Sequence, residues 1–224
     1  MTRFLNRSEA GKALALEIAA QGLEDPVILA LPRGGVPVGI ELVRELRAPM
    51  DLVMVRKIGV PRQPELAAGA VVNGDDPQIV VNETIAVHAG LSEDDIQHLA
   101  ETQLEEIKRR RDVYVKGRAT VPVEGRTAIV VDDGIATGAT MRASLRAVRK
   151  RRPAKLVLAV PVAAPDTLER LSADVDAVFC LLKPRSLYAI GAHYVDFGQT
   201  SDAEVTRLMD EAEALLRPDR TGDG

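Results

Sequence analysis

The chain has 224 residues, of which 46% are hydrophobic and 28% are charged. This balance is typical of one globular domain with a sizeable core. The formal net charge is -4 and only 3% of the residues are aromatic, with no Trp. These values argue against a basic nucleic-acid-binding surface and against an aromatic platform for single strands. Cys180 is the single cysteine, which excludes a disulfide framework and a cysteine-based metal site.

The first residues, MTRFLNRSEAGK, lack the apolar core of a secretory signal. No apolar run reaches the roughly 18 residues that a membrane span needs. We therefore expect a soluble, cytoplasmic protein that has neither nucleic acid nor a membrane as a partner.

Short apolar runs alternate with stretches of helical periodicity, which predicts a mainly parallel central sheet flanked by helices. The first part of the chain predicts a helix over 8–21, capped by Asn6 or Ser8. The next predicted elements are a strand over 27–31, a helix over 36–46 and a strand over 51–55. Residues 56–72 contain two prolines and two glycines and predict a long mobile loop that runs into a strand.

Residues 73–126 interrupt this alternation, and we interpret them as an insertion within a single domain over 1–224. The insertion contains a strand-like QIVVN, and Ser92 with Asp95 resembles a capping box that opens a helix of about twenty residues. The alternation then resumes with strands over 127–131, 155–160 and 176–182 and with helices over 139–151 and 165–172. A last helix over 202–216 precedes a tail, 217–224, that we expect to be disordered.

The segment VVDDGIATGATM, residues 130–141, carries the clearest chemical pattern. Asp132 and Asp133 directly follow a predicted strand, where open α/β sheets place their ligands. The following GIATGAT leads into a helix, whose free N–H groups and dipole favour an anion, above all a phosphate. The glycines allow a tight turn, and the threonines add hydroxyl donors.

Known phosphate loops do not fit this segment, because it lacks the Walker lysine and the G-x-G-x-x-G spacing. Val131 also stands where a D-x-D-G phosphatase would have an acid. The two carboxylates would repel a phosphate unless they faced another group. A sugar diol is such a group, because carboxylates accept strong hydrogen bonds from hydroxyls. The pattern therefore favours a ribose 5-phosphate, and the alternative is a plain turn before an ordinary capped helix.

VVDDGIATGATM resembles the phosphoribosyl pyrophosphate motif of the type I phosphoribosyltransferases, in which an apolar strand, two acids and a T-G-x-T loop follow one another. The order of elements is similar over nearly the whole chain. The resemblance implies that Asp132 and Asp133 hold the ribose hydroxyls, with Mg²⁺ on the substrate oxygens and one of these acids nearby. It also implies a 5-phosphate loop made of Ala136, Thr137, Gly138, Ala139 and Thr140.

A second glycine-rich turn, LPRGGVPVG, follows the strand over 27–31. Gly34 and Gly35 expose backbone N–H groups and Arg33 adds a cation, so the turn predicts a second anion site. The family has its pyrophosphate loop at this place, and the alternative is a tight β-α turn. Arg56 and Lys57 lie where the family has a flexible catalytic lid, and there they would reach the departing pyrophosphate. Alternatively, they form a solvated strand end.

Residues 185–200 resemble in position the hood that holds the acceptor in this family. The candidate hood residues are Lys183, Arg185, Tyr188, Ile190, Tyr194 and Phe197. The chain also departs from the family, because purine-salvage members carry an acid in the phosphate loop where this chain has Ala136. This departure weakens the expectation of an oxopurine acceptor.

The resemblance implies Mg²⁺-dependent transfer of a 5-phosphoribosyl group from phosphoribosyl pyrophosphate to a nitrogenous base or related acceptor, with release of pyrophosphate. The expected catalytic residues are Arg33, Lys57, Asp132 and Asp133, the expected partners are small-molecule substrates, and the family suggests a homodimer. Two alternatives remain: a regulatory module that senses phosphoribosyl pyrophosphate or a nucleotide, and a site for another phosphosugar.

Overall fold

A computed structural model describes residues 3–61, 63–72 and 77–217, and for residues 64 and 65 it describes the backbone alone. The strands are β1 (Pro26–Ala30), β2 (Met50–Leu52), β3 (Val55–Val60), β4 (Gln63–Val72), β5 (Gln78–Val81), β6 (Thr127–Val131), β7 (Lys155–Val162) and β8 (Ala177–Leu182). Five of them form a parallel central sheet in the order β2-β1-β6-β7-β8. The predicted fold class, a mainly parallel central sheet flanked by helices, is confirmed.

Helices cover both faces of this sheet. They are α1 (Arg7–Ala19), α2 (Gly35–Leu46), α3 (Glu83–His88), α4 (Glu93–Val115), α5 (Ala139–Lys150), α6 (Pro165–Ser172) and α7 (Asp202–Leu216). Alternate residues of a strand point to opposite faces. In β1, Ile28 and Ala30 therefore pack in the core with α1 and α2, whereas Val27 and Leu29 pack with α5 and α6. Burial on both faces explains why the strand is uniformly apolar.

A second, antiparallel sheet contains β3, β4 and β5 in that order. It lies between α4, which contacts β3 and β4, and α5, which contacts all three of its strands. The predicted mobile loop is therefore wrong for the first part of 56–72, which pairs as β3, whereas the strand predicted at its end is present as β4. The pair buries Ile58, Val60 and Val71. The register between β3 and β4 shifts at Gly59. An irregularity of this kind is a common place for a glycine within a strand pair. The predicted strand over 51–55 is divided between β2 and β3.

The segment over 73–126 contributes β5 to this second sheet, so it packs as one unit with the strands before it. Its interpretation as an insertion stays a prediction. The predicted capping box is present: the Asp95 N–H donates to Ser92 Oγ over 3.2 Å, and the Ser92 N–H donates to Asp95 Oδ2 over 2.9 Å. The short helix α3 has no counterpart in the prediction. The predicted tail lies outside the described residues from 218 onward.

Helices long and apolar enough to cross a membrane are absent from the described part of the chain. Cys180 is buried, and burial raises the pKa of its thiol to about 11.

A buried ion pair fixes α4 to the edge of the central sheet. Asp51 of β2 is 2% exposed, pairs with Arg111 at 2.9 Å and accepts the Val121 N–H over 3.0 Å. We expect Asp51→Ala to lower the free energy of unfolding by about 3–5 kcal/mol, because it leaves the Arg111 guanidinium buried without its partner. Urea unfolding measures this loss. A double variant that also carries Arg111→Met should recover part of it, and a loss below about 1 kcal/mol in the single variant would contradict the account.

Candidate active site

The connections after β1 and β6 diverge at the centre of the main sheet. From β1 the chain continues to β2 on one side, and from β6 it continues to β7 on the other. Ligands of open α/β sheets bind at such a point, outside the carboxyl ends of the strands. The turn at 31–35 and the loop at 132–138 both lie here, so two of the predicted segments meet in one crevice.

The helices that follow these two segments begin without a capping side chain. Gly34 caps α2 and Gly138 caps α5, and neither helix has an acid in its first turn. In contrast, Asn6 caps α1, Ser92 caps α4 and Ser201 caps α7 through side-chain oxygens. The first N–H groups of a helix need acceptors. Without a capping side chain or an acid, both helices present a positive dipole end to an anion, and α5 also presents its first N–H donors. At α2, the Gly35 and Val36 N–H groups already donate to the Leu31 and Arg33 carbonyls over 2.9 and 3.3 Å.

The residues of the predicted 5-phosphate loop lie at the start of α5, and Thr137 and Thr140 are exposed there. The Thr167 hydroxyl of α6 donates to the Ala136 carbonyl over 3.0 Å, so α6 supports the loop from behind. Gly138 has a φ of 80°, a left-handed conformation that favours glycine. A Cβ at this position would also lie 2.9 Å from Thr167 Cγ2. These two constraints explain why glycine occupies position 138.

The two acids differ in their surroundings. Asp132 keeps part of its surface exposed, but protein atoms surround its carboxyl. This desolvation, together with the adjacent Asp133 charge, raises the pKa of Asp132 well above the usual range. Asp133 is 8% exposed, and burial raises its pKa against the opposing effect of Arg7. A hydrogen bond of 2.9 Å from the Asp133 N–H to Asp132 Oδ1 links them. Carboxylates held this close repel each other, so they gain from hydroxyl donors or a cation that binds between them.

Arg7 is a residue of this site that the sequence analysis missed. Its Nε donates to Asp133 Oδ2 over 2.7 Å and its Nη1 donates to the Gly198 carbonyl over 2.7 Å. The guanidinium carbon also lies 3.9 Å from the centre of the Phe197 ring. Asn6 caps the helix at the residue before Arg7, which fixes where this side chain starts. Arg7 therefore connects the N-terminal helix, the acid pair and the predicted hood.

Three of the six predicted hood residues pack against the acid pair. The Tyr194 hydroxyl donates to the Asp133 carbonyl over 2.6 Å, and its ring stacks on Phe197 with centroids 4.9 Å apart. Burial raises the pKa of Tyr194, so the hydroxyl stays a donor. Ile190 lies against Gly134, where a Cβ would be 2.6 Å from Ile190 Cγ2. These residues shape the floor of the crevice.

The other predicted hood residues are exposed to solvent. Lys183 and Arg185 are exposed, and Tyr188 is 96% exposed. The predicted hood thus divides into a buried part beside the two acids and an exposed part.

The predicted pyrophosphate loop touches the acid pair directly. A Cβ on Gly34 would overlap Asp133 Oδ2, and one on Gly35 would lie 2.5 Å from the Val131 carbonyl. The peptide between Pro32 and Arg33 is cis. Arg33 itself pairs with Asp202 at the start of α7 over 3.4 Å. The loop's glycines therefore reach the two acids, whereas its cation lies toward α7.

The two predicted lid cations lie on opposite faces of β3. Arg56 pairs with Glu106 of α4 over 2.8 Å. Lys57 lines a cavity of about 510 Å³ that is also bordered by the loop from Thr137 to Thr140. In this arrangement the structure brings Lys57, and not Arg56, to the 5-phosphate loop.

The acid pair can hold a divalent cation in one particular way. Among the described residues, no group of three or more His, Cys, Asp or Glu side chains could form a complete metal cage. Mg²⁺ commonly binds through one or two carboxylates together with water and substrate phosphates. The partly exposed Asp132 next to two uncapped helix starts fits that mode.

Comparisons with known proteins agree with this arrangement. The family described as phosphoribosyl transferase domain matches residues 3–192. Two curated Mycobacterium tuberculosis proteins, Rv0571c and MT0597, are named provisionally as phosphoribosyl transferases, and each is 42% identical over 212 residues. The matched region covers 95% of this chain and 47% of each of them, so the chain spans about half the length of the curated relatives it matches.

Two solved structures share the fold of this chain. The crystal structure of TT1426 from Thermus thermophilus is 40% identical, with a TM-score of 0.82, and the match covers 94% of this chain and 99% of that one. The AQ2163 protein from Aquifex aeolicus shares the fold at 14% identity and a TM-score of 0.51, over 83% of this chain and 78% of that one. The resemblance to the type I phosphoribosyltransferases is thereby confirmed, and the chain belongs to the phosphoribosyl transferase domain family.

Proposed function

We propose that the chain transfers a 5-phosphoribosyl group from phosphoribosyl pyrophosphate to a nitrogenous acceptor and releases pyrophosphate. The observation that supports this most is the contact between three predicted parts of the site. The acid pair follows β6, the uncapped start of α5 follows the acids, and Gly34 abuts the Asp133 carboxyl. One substrate with a phosphate, a diol and a pyrophosphate would engage all three parts at once.

In the reaction, the bond between C1 of the ribose and the pyrophosphate oxygen breaks, and a bond from C1 to the acceptor nitrogen forms. Positive charge builds on the ribose while negative charge builds on the departing pyrophosphate. The positive dipole end of α2 would stabilise the leaving group, and the loop at 136–140 would hold the 5-phosphate. Asp132 and Asp133 would accept hydrogen bonds from the ribose hydroxyls and so orient C1.

Mg²⁺, when bound near Asp132 or Asp133 through the substrate oxygens, would supply positive charge to the pyrophosphate. Lys57 would add a second cation near the 5-phosphate loop. Arg33 could join in only after leaving Asp202, to which it is paired over 3.4 Å at an exposed position. Such surface pairs are weak.

The acceptor would lie over the buried part of the hood. Ala136 gives no acid there, and Ile190 presents an apolar surface beside the acid pair. We therefore favour a nitrogenous acceptor recognised by shape and backbone groups over one that needs a carboxylate at position 136. A cytoplasmic location and a homodimer stay predictions.

The direct test is release of pyrophosphate from phosphoribosyl pyrophosphate in the presence of Mg²⁺ and a panel of purine, pyrimidine and amine acceptors. We expect release that depends on one class of acceptor and is lost in Asp132→Asn. No acceptor-dependent release from protein that binds phosphoribosyl pyrophosphate would refute the transferase and favour a sensing module.

Arg7→Gln should move the acid limb of the pH profile of kcat/KM to higher pH. Without the guanidinium, burial of the Asp133 carboxyl acts unopposed, so its pKa rises further and the ionised form is lost at higher pH. We expect kcat/KM at neutral pH to fall by about tenfold to a hundredfold. Arg7→Lys, which keeps the charge, should restore the limb in part. An unchanged pH profile with reduced kcat/KM would mean that Arg7 acts only by packing on the hood.

A further inference from the structure

A cavity lies next to the 5-phosphate loop, apart from the acid pair. The cavity of about 510 Å³ lies between α5, α6 and the second sheet, and it borders the 5-phosphate loop without including either acid. Its volume falls in the range of small-molecule sites. We propose that this cavity is a second anion site that binds a phosphate ester with an apolar organic part.

Three arginines line one side of the cavity, Arg142 and Arg146 of α5 and Arg170 of α6, and Lys57 of β3 lies on the facing sheet; one acid, Glu83, also borders the cavity. These four cations outnumber Glu83 and the two acids that pair with the arginines, Asp166 and Asp174, by one. The whole chain, in contrast, has a net charge of -4. The arginine side chains are 40%, 50% and 53% exposed in that order, so a dissolved ligand can reach them.

The three guanidinium groups approach their acid partners only to 3.3–3.4 Å. Arg142 Nη2 also donates to the Arg170 carbonyl over 3.1 Å, and Arg170 Nη2 donates to Thr167 Oγ1 over 3.0 Å. Arg142 and Arg146 share the Asp174 carboxylate, each at 3.4 Å, and Arg170 contacts Asp166 at 3.3 Å. One carboxylate therefore balances two cations that stand four residues apart on one helix, where like charges repel. Each guanidinium also carries five N–H donors in a planar fork. A phosphate bound among them would relieve this repulsion and fill the remaining donors.

Apart from Lys57, the strands on the opposite side of the cavity line it with apolar side chains. These are the small and branched side chains of the second sheet: Val55, Ala67, Ala70, Val80 and Val81. A bare inorganic anion would leave this surface exposed to water. A molecule with a flat or aliphatic portion next to its phosphate would cover it and gain from its burial.

Two sources could supply this chemistry. A substrate whose 5-phosphate carries a further substituent would extend from the loop at Thr137 to Thr140 into the cavity. A separate nucleotide-like effector would instead occupy the cavity beside a bound substrate. Because both would touch the same loop, either one would be coupled to occupation of the acid-pair site.

The test uses ADP as the probe, because it joins phosphates to a flat apolar base. Calorimetry at low salt would compare wild type, the double variant Arg146→Ala with Arg170→Ala, and the single variant Arg146→Gln. Arg149→Ala is the matched control, since Arg149 lies on α5 with 40% of its side chain exposed but pairs with Asp176 outside the cavity. Asp132→Asn tests whether ADP binds at the acid pair instead.

We expect wild type to bind ADP, the double variant to bind it at least about tenfold more weakly, and Arg146→Gln to fall between them. Binding in Arg149→Ala and in Asp132→Asn should stay within about twofold of wild type, and adenosine, which lacks the phosphates, should bind far more weakly. Thermal melts would check that the variants fold.

No ADP binding, or equal binding in the double variant and Arg149→Ala, would overturn the proposal. Loss of ADP binding in Asp132→Asn with retention in the double variant would overturn it as well. Binding of phosphoribosyl pyrophosphate by wild type is measured separately, so failure of the cavity proposal would leave the proposed transfer intact. When both ligands are present, competition identifies the extended substrate and simultaneous binding identifies the separate effector, and either result supports the site.

Discussion

Asp132→Asn should weaken Mg²⁺-dependent binding of phosphoribosyl pyrophosphate by about a hundredfold, because two charge-assisted hydrogen bonds to the ribose diol become neutral ones. The same change should make the free protein more stable at neutral pH, by about 1 kcal/mol or 2–4 °C in Tm. Burial and the Asp133 charge both raise the pKa of the Asp132 carboxyl, so the folded protein holds this ionised carboxylate at a cost that an amide avoids. Loss of function with gain of stability is the signature of a strained binding residue.

The pH dependence of this gain has a definite sign. A carboxyl whose pKa is raised by folding binds protons more tightly in the folded state than in the unfolded state. Proton binding by this carboxyl therefore stabilises the folded protein below a pH of about 4, and this stabilisation is lost as the pH rises through the raised pKa. Melting curves between about pH 5 and pH 8 should show the advantage of Asp132→Asn growing with pH. Asp112→Asn, at an exposed position of α4, is the control and should show no such trend. An advantage that shrinks with rising pH would contradict the account.

Gly34→Ala should reduce the rate of phosphoribosyl transfer, as kcat/KM, by about a hundredfold while the protein still folds. The added Cβ would overlap Asp133 Oδ2, so either the carboxylate or the turn must shift. Arg7 bonds to this same oxygen at 2.7 Å, so a shift of the carboxylate would also disturb that ion pair. The backbone at Gly34 has φ -63° and ψ -35°, values that alanine adopts freely, so the effect arises from the contact and not from conformational strain.

Gly198→Ala is the matched control for this substitution. It lies in the predicted hood, and the nearest atom to its added Cβ is Asp196 Oδ1 at 3.6 Å, an ordinary contact. We expect its kcat/KM to stay within about threefold of wild type. Steady-state kinetics would compare kcat/KM of the two variants, and circular dichroism would confirm that both fold. Equal kcat/KM for Gly34→Ala and Gly198→Ala would contradict the account, because it would show that the site tolerates displacement of the acid pair.

Local patterns in the sequence were sufficient for much of the fold and for the centre of the site. Strand β6, the two acids and the start of α5 follow one another without a gap, so a single stretch of residues already contains the order strand, ligand, helix. The capping box of Ser92 and Asp95 is likewise a signal within four residues. Such features depend on neighbours along the chain, which a sequence displays directly.

Features that depend on distant contacts were missed. Arg7 reaches Asp133 across 126 positions of sequence, and nothing in the residues around it marks a cation with that role. The prolines and glycines of 56–72 are local turn signals and predict a mobile loop before a strand, whereas the segment pairs as β3 and β4. Burial of Ile58 and Val71 on the side of α4, and of Ala70 and Val72 on the side of α5, outweighs those signals. The opposite directions of Arg56 and Lys57 follow from the same pairing.

Calorimetric titration of phosphoribosyl pyrophosphate, with and without Mg²⁺, tests the central claim most directly. The account predicts Mg²⁺-dependent binding to wild type and its loss in a variant that carries both Asp132→Asn and Asp133→Asn. Folded wild-type protein that binds no phosphoribosyl pyrophosphate, or a double variant that binds it as tightly as wild type, would contradict the assignment of the acid pair and the α5 loop to this ligand.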